Sequence, residues 1–320
     1  MSNIPIHILL LGGGQKVSLA QQLKQSGTRL GFEVSIFSYD LSAEVPIVLE
    51  GEVIKGLPWT DSSVVGDICE VVRNDKIDII LPVVNGSIEV ASICRLRLPD
   101  VFIPVTDFST AKPLFDKLEA AKLFKTLKFP IPKTYSVLSA KMPAIVKPRT
   151  GGKSRGIQVF HDMEDLMHLQ NLSEYIIQEY ISNNREYTVD GYIDMQGNIL
   201  TLVPRERIEI MNGESSKTCT CKNKELEKFS IDIIKGLKLR GPVNLQFLHD
   251  LEKDRYLLME VNPRLGGAVI CSILAGAPIT DYIIAEAKGL PLEPCEDWKD
   301  QTLLARYLKE AVFFNSNKSI

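Results

Sequence analysis

The chain is short of histidine, tryptophan and cysteine, has no long apolar run and carries no bulk charge. Each shortage removes a class of function. Four histidines in 320 residues, none at metal-ligand spacing, leave little for a zinc enzyme. Six cysteines make no disulfide framework in a chain this long. Cys69, Cys94, Cys271 and Cys295 stand alone, and Cys219 and Cys221 are one residue too close for a Cys-x-x-Cys pair. A reduced, cytoplasmic setting is expected. The first apolar run, residues 6–11, ends in three glycines and is far too short for a signal core or a membrane span. Lys and Arg total 37 against 40 Asp and Glu, a net charge of −3, so nothing favours nucleic acid or an acidic membrane surface. No Ser-His-Asp or Cys-His arrangement is visible, so no covalent enzyme intermediate is needed.

What is present is the composition of a folded globular protein, 45% hydrophobic and 24% charged, which argues against disorder. The length suffices for two domains, or for one domain with subdomains. Residues 1 to about 110 alternate strand and helix signals: strands at 6–11, 33–37 and 77–81, helices at 16–25 (ending at Gly27), 62–74 and 87–96. Such alternation predicts a parallel sheet. Pro99, Pro104 and Pro113 punctuate the exit from this unit. A helical stretch over 113–129 follows. Strands are then expected at 145–147, 156–160, 175–180, 186–193 and 199–209, with helices at 163–169, 225–238 and 279–288. The fold class is therefore α/β, or α+β over the whole chain.

The chemistry concentrates near the C-terminal third. Gly241-Pro242-Val243-Asn244-Leu245-Gln246-Phe247 and Leu257-Leu258-Met259-Glu260-Val261-Asn262-Pro263-Arg264-Leu265-Gly266-Gly267 read as two strands of a hairpin. Asn244 and Gln246 share one face of the first, Glu260 and Asn262 one face of the second. A lone acid in an apolar strand is expensive unless it is paired or holds a cation. Gln246, Glu260 and Asn262 offer the oxygen ligands that a hard Mg²⁺ takes when phosphate and water complete its shell. Arg264 adds a positive fork suited to phosphate. The bland alternative is a buried strand whose acid is paired with a nearby arginine.

Two glycine-rich segments stand out. Gly12-Gly13-Gly14 lies between a strand and a helix, where backbone N–H groups can cradle an anion. A dinucleotide fingerprint would need glycine at Val17, which weakens an NAD reading with Asp40 as the ribose acid. Arg149-Thr150-Gly151-Gly152-Lys153-Ser154-Arg155-Gly156 joins two strands and lacks the Gly-Lys-Ser/Thr ending of a Walker loop. Its glycines permit close backbone approach to a polyphosphate, and Arg149, Lys153 and Arg155 would neutralise it. Lys147 sits just before it in an apolar strand, where a cation needs a partner.

The motifs Asn-x-Gln-Phe and Glu-x-Asn-Pro-Arg resemble the ATP-grasp enzymes, and within them the synthetase repeat of the carbamoyl-phosphate synthetase large subunit. Upstream blocks extend the likeness in the same order: Asp116-Lys117, Ala144 to Pro148 with its glycine-rich loop, Gln178-Glu179-Tyr180-Ile181, and Glu186. The resemblance implies an ATP-grasp fold with an N-terminal Rossmann-like domain over 1–110. A small subdomain with a glycine-rich flap over 111–182 and a metal-bearing subdomain over 183–320 would follow. It also implies ATP with Mg²⁺ or Mn²⁺. ATP would be held by Lys117, Lys147, Gly151 and Gly152, its adenine read by Glu179, Tyr180 and Ile181, its ribose by Glu186. The metal would rest on Gln246, Glu260 and Asn262, and Arg264, Lys153 and Arg155 would attend the transferring phosphoryl group. A carboxylate attacking the γ-phosphate would give an acyl-phosphate that an amine captures.

The chain has one synthetase unit and no recognisable glutamine-derived ammonia machinery, so a stand-alone carboxylate–amine ligase is expected in place of a carbamoyl-phosphate producer. The partners expected are a small-molecule carboxylate and an amine, with a homodimer as the assembly considered. Arg205, Arg207 and Lys217 are candidates for phosphate or substrate carboxylate, against a solvated sheet edge. Asn85 and Gly266-Gly267 are expected to border the substrate pocket. The competing classes are a non-catalytic ATP-binding regulatory module of the same fold and an NAD-dependent enzyme.

Overall fold

A computed structural model describes residues 4–152 and 155–314. The N-terminal unit is a parallel sheet of β1 (Ile4–Leu11), β2 (Phe32–Asp40), β3 (Glu52–Lys55) and β4 (Ile79–Pro82), in the order β3-β2-β1-β4. Helices Val17–Leu30, Val64–Asp75 and Gly86–Arg97 accompany it. Ile6, Ile8, Leu9, Leu10 and Leu11 are all fully buried, odd and even positions alike. That is the signature of a central parallel strand covered on both faces. The first helix runs past the expected stop at Gly27 and ends on Gly31, in the left-handed region at φ 83°. Gly27 is there for packing instead: a Cβ on it would lie 2.4 Å from Val34 Cγ2. The short, half-exposed edge strand β3 was not anticipated.

The second unit is an antiparallel sheet of β5 (Thr134–Tyr135), β6 (Ala144–Pro148), β7 (Gln158–Phe160) and β8 (Tyr175–Glu179), in the order β5-β8-β6-β7. The helical stretch read over 113–129 is broken in two at Asp116, which is extended (φ −111°, ψ 115°). Its carboxylate accepts from Leu118 N at 2.8 Å and Glu119 N at 3.3 Å, capping the helix Lys117–Thr126. Capping satisfies donors that the first turn leaves orphaned.

The largest sheet holds β9 (Asn184–Ile193), β10 (Ile199–Met211), β11 (Glu214–Thr220), β12 (Gly241–Asp250), β13 (Arg255–Asn262) and β14 (Leu303–Ala305). All pairs are antiparallel, in the order β13-β12-β9-β10-β11-β14. β11, polar throughout, and the short β14 are further strands that the pattern did not reveal. One face packs against the helix Lys224–Leu237, where Leu226, Ile233, Ile234 and Leu237 meet Val189, Leu245 and Phe247. Each such side chain contributes about 1.5–3 kcal/mol on burial. The opposite face is apolar at one end only. There Tyr192 and Val203 join one core with Val269 and Ile273 of helix Val269–Leu274, Ile283 of helix Ile279–Ala287, and Leu23 of the N-terminal unit. Beyond them the same face turns polar, and that change positions the site. No helix among the described residues is long and apolar enough to cross a membrane.

Candidate active site

The polar floor is set by strand register. Gln246 lies opposite Glu260 and Asn244 opposite Asn262 in the β12–β13 pair, while Gln246 and Asn244 face Thr188 and Asp190 of β9 on the other side. Between Gln246 and Phe247 the register shifts, because Phe247 pairs with Leu258 and Met259 is the extra residue. This β-bulge lets Leu258 and Val261, three apart, both enter the core, although regular strand alternation would send them to opposite faces. It also leaves Glu260 and Asn262 together on the polar side.

The donor set fits a hard divalent cation that arrives with a nucleotide. Gln246, Glu260 and Asn262 supply one carboxylate and two amide oxygens at neighbouring positions. Two of those oxygens already accept from arginines, Gln246 Oε1 from Arg207 at 3.3 Å and Asn262 Oδ1 from Arg264 at 3.4 Å, so a cation would have to share or displace these bonds. The unpartnered Nδ2 of buried Asn262 is a donor and no metal ligand. Among the described residues no three His, Cys, Asp or Glu side chains cluster as a metal cage. A protein-only site is thus absent there, and phosphate oxygens would have to complete the shell, as they do for Mg²⁺.

Cations converge on this floor from both sides. Lys147 of β6 bonds Gln178 Oε1 at 3.3 Å. Burial pushes its ammonium pKa down, Glu186 and Glu260 counter that, and Lys117 adds to it. The root of the glycine-rich loop therefore lies within electrostatic reach of Glu186 and Glu260. Lys117 reaches Gly151 O at 3.1 Å. In that loop a Cβ on Gly151 or Gly152 would meet nothing within 4 Å, and Gly151 has φ +93°. Arg155 is exposed, and Lys153 lies outside the described residues.

Beside this, the 179–181 segment is fixed from behind. Glu179 N donates to Lys133 O at 2.8 Å, its Oε1 accepts from Lys133 N at 2.9 Å and from Arg255 at 3.3 Å, and Ile181 O accepts from Asn184 Nδ2 at 2.7 Å. The Glu179 side chain therefore braces the segment, and only backbone is offered for reading a base edge. Tyr180 lies between these two fixed points.

The charged residues of β9, β10 and β11 lie in distinct settings. Glu186 pairs with Arg207 at 2.7 Å, and Arg185 approaches Glu206 at 3.8 Å. Arg205 is neither a substrate ligand nor part of a solvated edge. It is 1% exposed and donates to Asp190 Oδ2 at 2.8 Å and Thr218 Oγ1 at 2.9 Å. Asp190 also accepts from Ser272 Oγ at 2.6 Å and Asn244 Nδ2 at 2.7 Å. Lys217 lies 3.5 Å from Glu209, both exposed enough to be solvated. Arg207 alone of the three belongs to the floor, with Gln246 Oε1 at 3.3 Å and Gly213 O at 2.9 Å.

Arg264 connects the floor to a second cluster. Its Nε donates to Asn85 Oδ1 at 2.5 Å and its Nη2 reaches Asn262 Oδ1 at 3.4 Å. Burial presses against its charge, with Glu260, Glu214 and Asp190 supporting it. Glu214, at the start of β11, lies 3.5 Å from Lys16 and 2.6 Å from Arg306, and Arg306 also donates to Gly267 O. Lys16 follows the Gly12-Gly13-Gly14 turn. There Asp40 accepts from Gly14 N at 3.2 Å and is engaged in bracing the turn. Sequence reasoning missed Lys16 and Arg306. The only available signal was that Lys16 follows a glycine turn and that Glu214 sits between glycine and serine.

These elements together, a small antiparallel sheet, a larger one with a polar face, and a Rossmann-like sheet sharing the larger sheet's core, are the ATP-grasp fold. The family described as ATP-grasp in the biosynthetic pathway with Ter operon matches residues 171–310, and the tubulin-tyrosine ligase family matches residues 117–184. The carbamoyl phosphate synthase large chain of Methanobrevibacter smithii is 25% identical over 257 residues, 71% of this chain and 24% of that one. Among solved structures, biotin carboxylase from Campylobacter jejuni superposes with a TM-score of 0.73 at 17% identity, covering 93% of this chain and 74% of that one. N5-carboxyaminoimidazole synthetase from Staphylococcus aureus, complexed with ADP, does so with 0.73 at 19%, covering 91% and 79%. The chain spans between 24% and 47% of the length of the curated relatives it matches.

Proposed function

We propose that the protein is an ATP-dependent carboxylate–amine ligase that works through an acyl-phosphate and releases ADP and phosphate. The observation that carries this reading is the meeting of Gln246, Glu260 and Asn262 with Lys147 above them and Arg264 beside them. Positive charge is thereby gathered where a terminal phosphoryl group would move. Phosphoryl transfer needs little covalent work from a protein and depends on positioning and charge neutralisation. Lys147 and Lys117 would hold the polyphosphate, with Gly151, Gly152 and Arg155 closing over it. The backbone of 179–181 would read the adenine edge, and Glu186, with Arg207 fixing its carboxylate, would accept from the ribose hydroxyls.

Mg²⁺ or Mn²⁺ held by Gln246, Glu260 and Asn262 would neutralise phosphate charge. Arg264, kept in place by Asn85, would orient the attacking carboxylate and the transferred phosphoryl group. The carboxylate oxygen bonds to the γ-phosphorus as the β–γ bridge breaks and ADP leaves. The amine then attacks the acyl carbon, phosphate leaves, and the amine proton passes to solvent. The division assigned is 1–110 for the Rossmann-like unit, 111–182 for the flap unit and 183–320 for the metal-bearing unit, in a cytoplasmic protein acting on small molecules. A non-catalytic ATP-binding module would have no use for the metal set and Arg264 together. Phosphate release measured over paired carboxylates and amines tests the assignment: release that needs both partners supports it, and ATP binding without release from any pair overturns it.

A further inference from the structure

Lys16 and Arg306 take no part in the phosphoryl-transfer chemistry proposed above, yet both act on the same side of the molecule as Arg264. Lys16 follows the glycine turn after β1, and Asn85, which holds Arg264, follows β4. β1 and β4 are neighbours where the strand order β3-β2-β1-β4 changes direction. The crevice at the carboxyl ends of two such strands is where open α/β sheets take their ligands. A single carboxylate serves both cations: Glu214 lies 2.6 Å from Arg306 and 3.5 Å from Lys16. Arg306 is fixed at a second point by the Gly267 carbonyl, so Lys16 is the looser partner. Among the described residues Arg264 bonds only neutral oxygens, of Asn85, Leu265 and Asn262. The other acids near it are committed, Asp190 to Arg205 and Glu260, on the ligase reading, to the metal. Lys16, Arg264 and Arg306 thus share Glu214, three cations to one anion. A reacting carboxylate would answer Arg264 and still leave one positive charge over.

That surplus is open to solvent. Arg306 is exposed, and so are Gln15 and Ser18, each within two residues of Lys16. Lys16 is also the cap residue of helix Val17–Leu30, whose N-terminal end has no side-chain cap and no acid in its first turn. The free N–H groups there add partial positive charge at the same place. Burial presses against the Lys16 ammonium; Glu214 supports it, and Arg264 and Arg306 oppose it. A second anion beside Lys16 would relieve that opposition.

We infer that the acid substrate carries a second anionic group, a carboxylate or a phosphate ester, which Lys16 binds together with the first turn of helix Val17–Leu30 while Arg306 keeps Glu214. This rests on the ligase reading above and narrows its substrate class. With a dicarboxylate the charges balance, since the three cations face Glu214 and both ends of the substrate. An acid with one anion would answer Arg264 and leave Lys16 to Glu214. No bond is made or broken at Lys16, which acts as a specificity residue.

The test uses hydroxylamine as a generic amine, trapping the acyl-phosphate as a hydroxamate. The probes are acids paired with counterparts in which the second anion is neutral or absent: succinate with succinamate, L-glutamate with L-glutamine, L-aspartate with L-asparagine, 3-phosphoglycerate with glycerate, O-phospho-L-serine with L-serine. At least one acid with a second anion is expected to give ATP-dependent hydroxamate at about 10-fold or more the kcat/KM of its counterpart, the worth of one hydrogen bond to a charged group. Preference confined to the carboxylate pairs assigns a carboxylate anchor, and preference confined to the phosphorylated pairs a phosphate. Lys16→Gln is expected to remove the preference through KM, leaving the Kd for ATP unchanged, and Lys16→Arg to retain it. Glu214→Gln, which takes away the competing anion, is expected to keep or raise it. Equal use of both members of every pair by the wild-type protein would overturn the inference and leave the ligase reading standing. So would a Lys16→Gln variant that folds and keeps the preference, or a loss in Glu214→Gln as great as in Lys16→Gln. No hydroxamate from any probe would overturn both.

Discussion

Two arginines on one face of β10, two residues apart, should behave in opposite ways when truncated. Arg205 pairs with Asp190 where both side chains are essentially dry, at 2% and 1% exposure, whereas the partner of Arg207, Glu186, is 31% exposed. Arg205→Ala strands the Asp190 carboxylate in the interior with only Ser272 and Asn244 as donors. Breaking a buried ion pair from one side costs about 3–5 kcal/mol. Arg207→Ala leaves Glu186 able to hydrate, so the cost should be nearer that of losing hydrogen bonds to a charged group, about 1.5–3 kcal/mol. Its main effect should fall on ATP binding, since Arg207 also bonds Gln246 and fixes Glu186. Urea unfolding at pH 7 reads the first quantity, and calorimetric ATP titration the second. The reasoning is refuted if Arg205→Ala unfolds at a higher urea concentration than Arg207→Ala, or if it costs less than about 1 kcal/mol.

Three further outcomes are expected. Glu260→Gln should abolish divalent-metal-dependent turnover while leaving the fold largely intact, because an anion is replaced by an amide of the same shape; a variant keeping most activity at saturating Mg²⁺ would remove the metal assignment. Lys147→Ala should weaken ATP binding by more than it weakens binding of the carboxylate substrate, and equal losses in calorimetry would indicate a differently used site. The carboxyl of Glu214 is depressed from 4.5 to about 2, so its contribution to stability is present above pH 4.5 and is lost as the pH falls towards 2. Glu214→Gln should therefore flatten that part of the acid-stability curve, and an unchanged slope between pH 4.5 and 2 would contradict the pairing with Lys16 and Arg306.

Periodicity carried the N-terminal alternation and the hairpin of β12 and β13 into the structure almost unchanged. An apolar run such as 6–11 and an alternation such as 243–247 allow few placements once both faces or one must be buried. The bulge at Met259 was not legible, because an extra residue in a strand changes the pairing partner without changing composition. Arg205 and Arg207 share a face and differ only in what lies over it. The helix Val269–Leu274 supplies Ser272 above Asp190, and no local pattern announces that cover. Lys16 and Glu214 are 198 residues apart in sequence and Arg306 a further 92 beyond Glu214. Their meeting follows from the shared core of the N-terminal and large sheets, which a single sequence does not display. The helix start at Asp116-Lys117 was legible from the resemblance, and Asp116 followed three residues later by Glu119 is also a local helix-start signal.

The measurement that bears most directly on the central claim is the identity of the nucleotide product. On the proposed reading the metal set, Lys147 and Arg264 would gather charge at the terminal phosphoryl group, while adenylation would require in-line attack at the α-phosphate with pyrophosphate leaving. Chromatography of a complete reaction, with ATP, Mg²⁺, an active carboxylate and an amine, should give ADP and phosphate in equal amounts, both dependent on the carboxylate. AMP and pyrophosphate as the principal products would contradict the mechanism even with the fold unchanged.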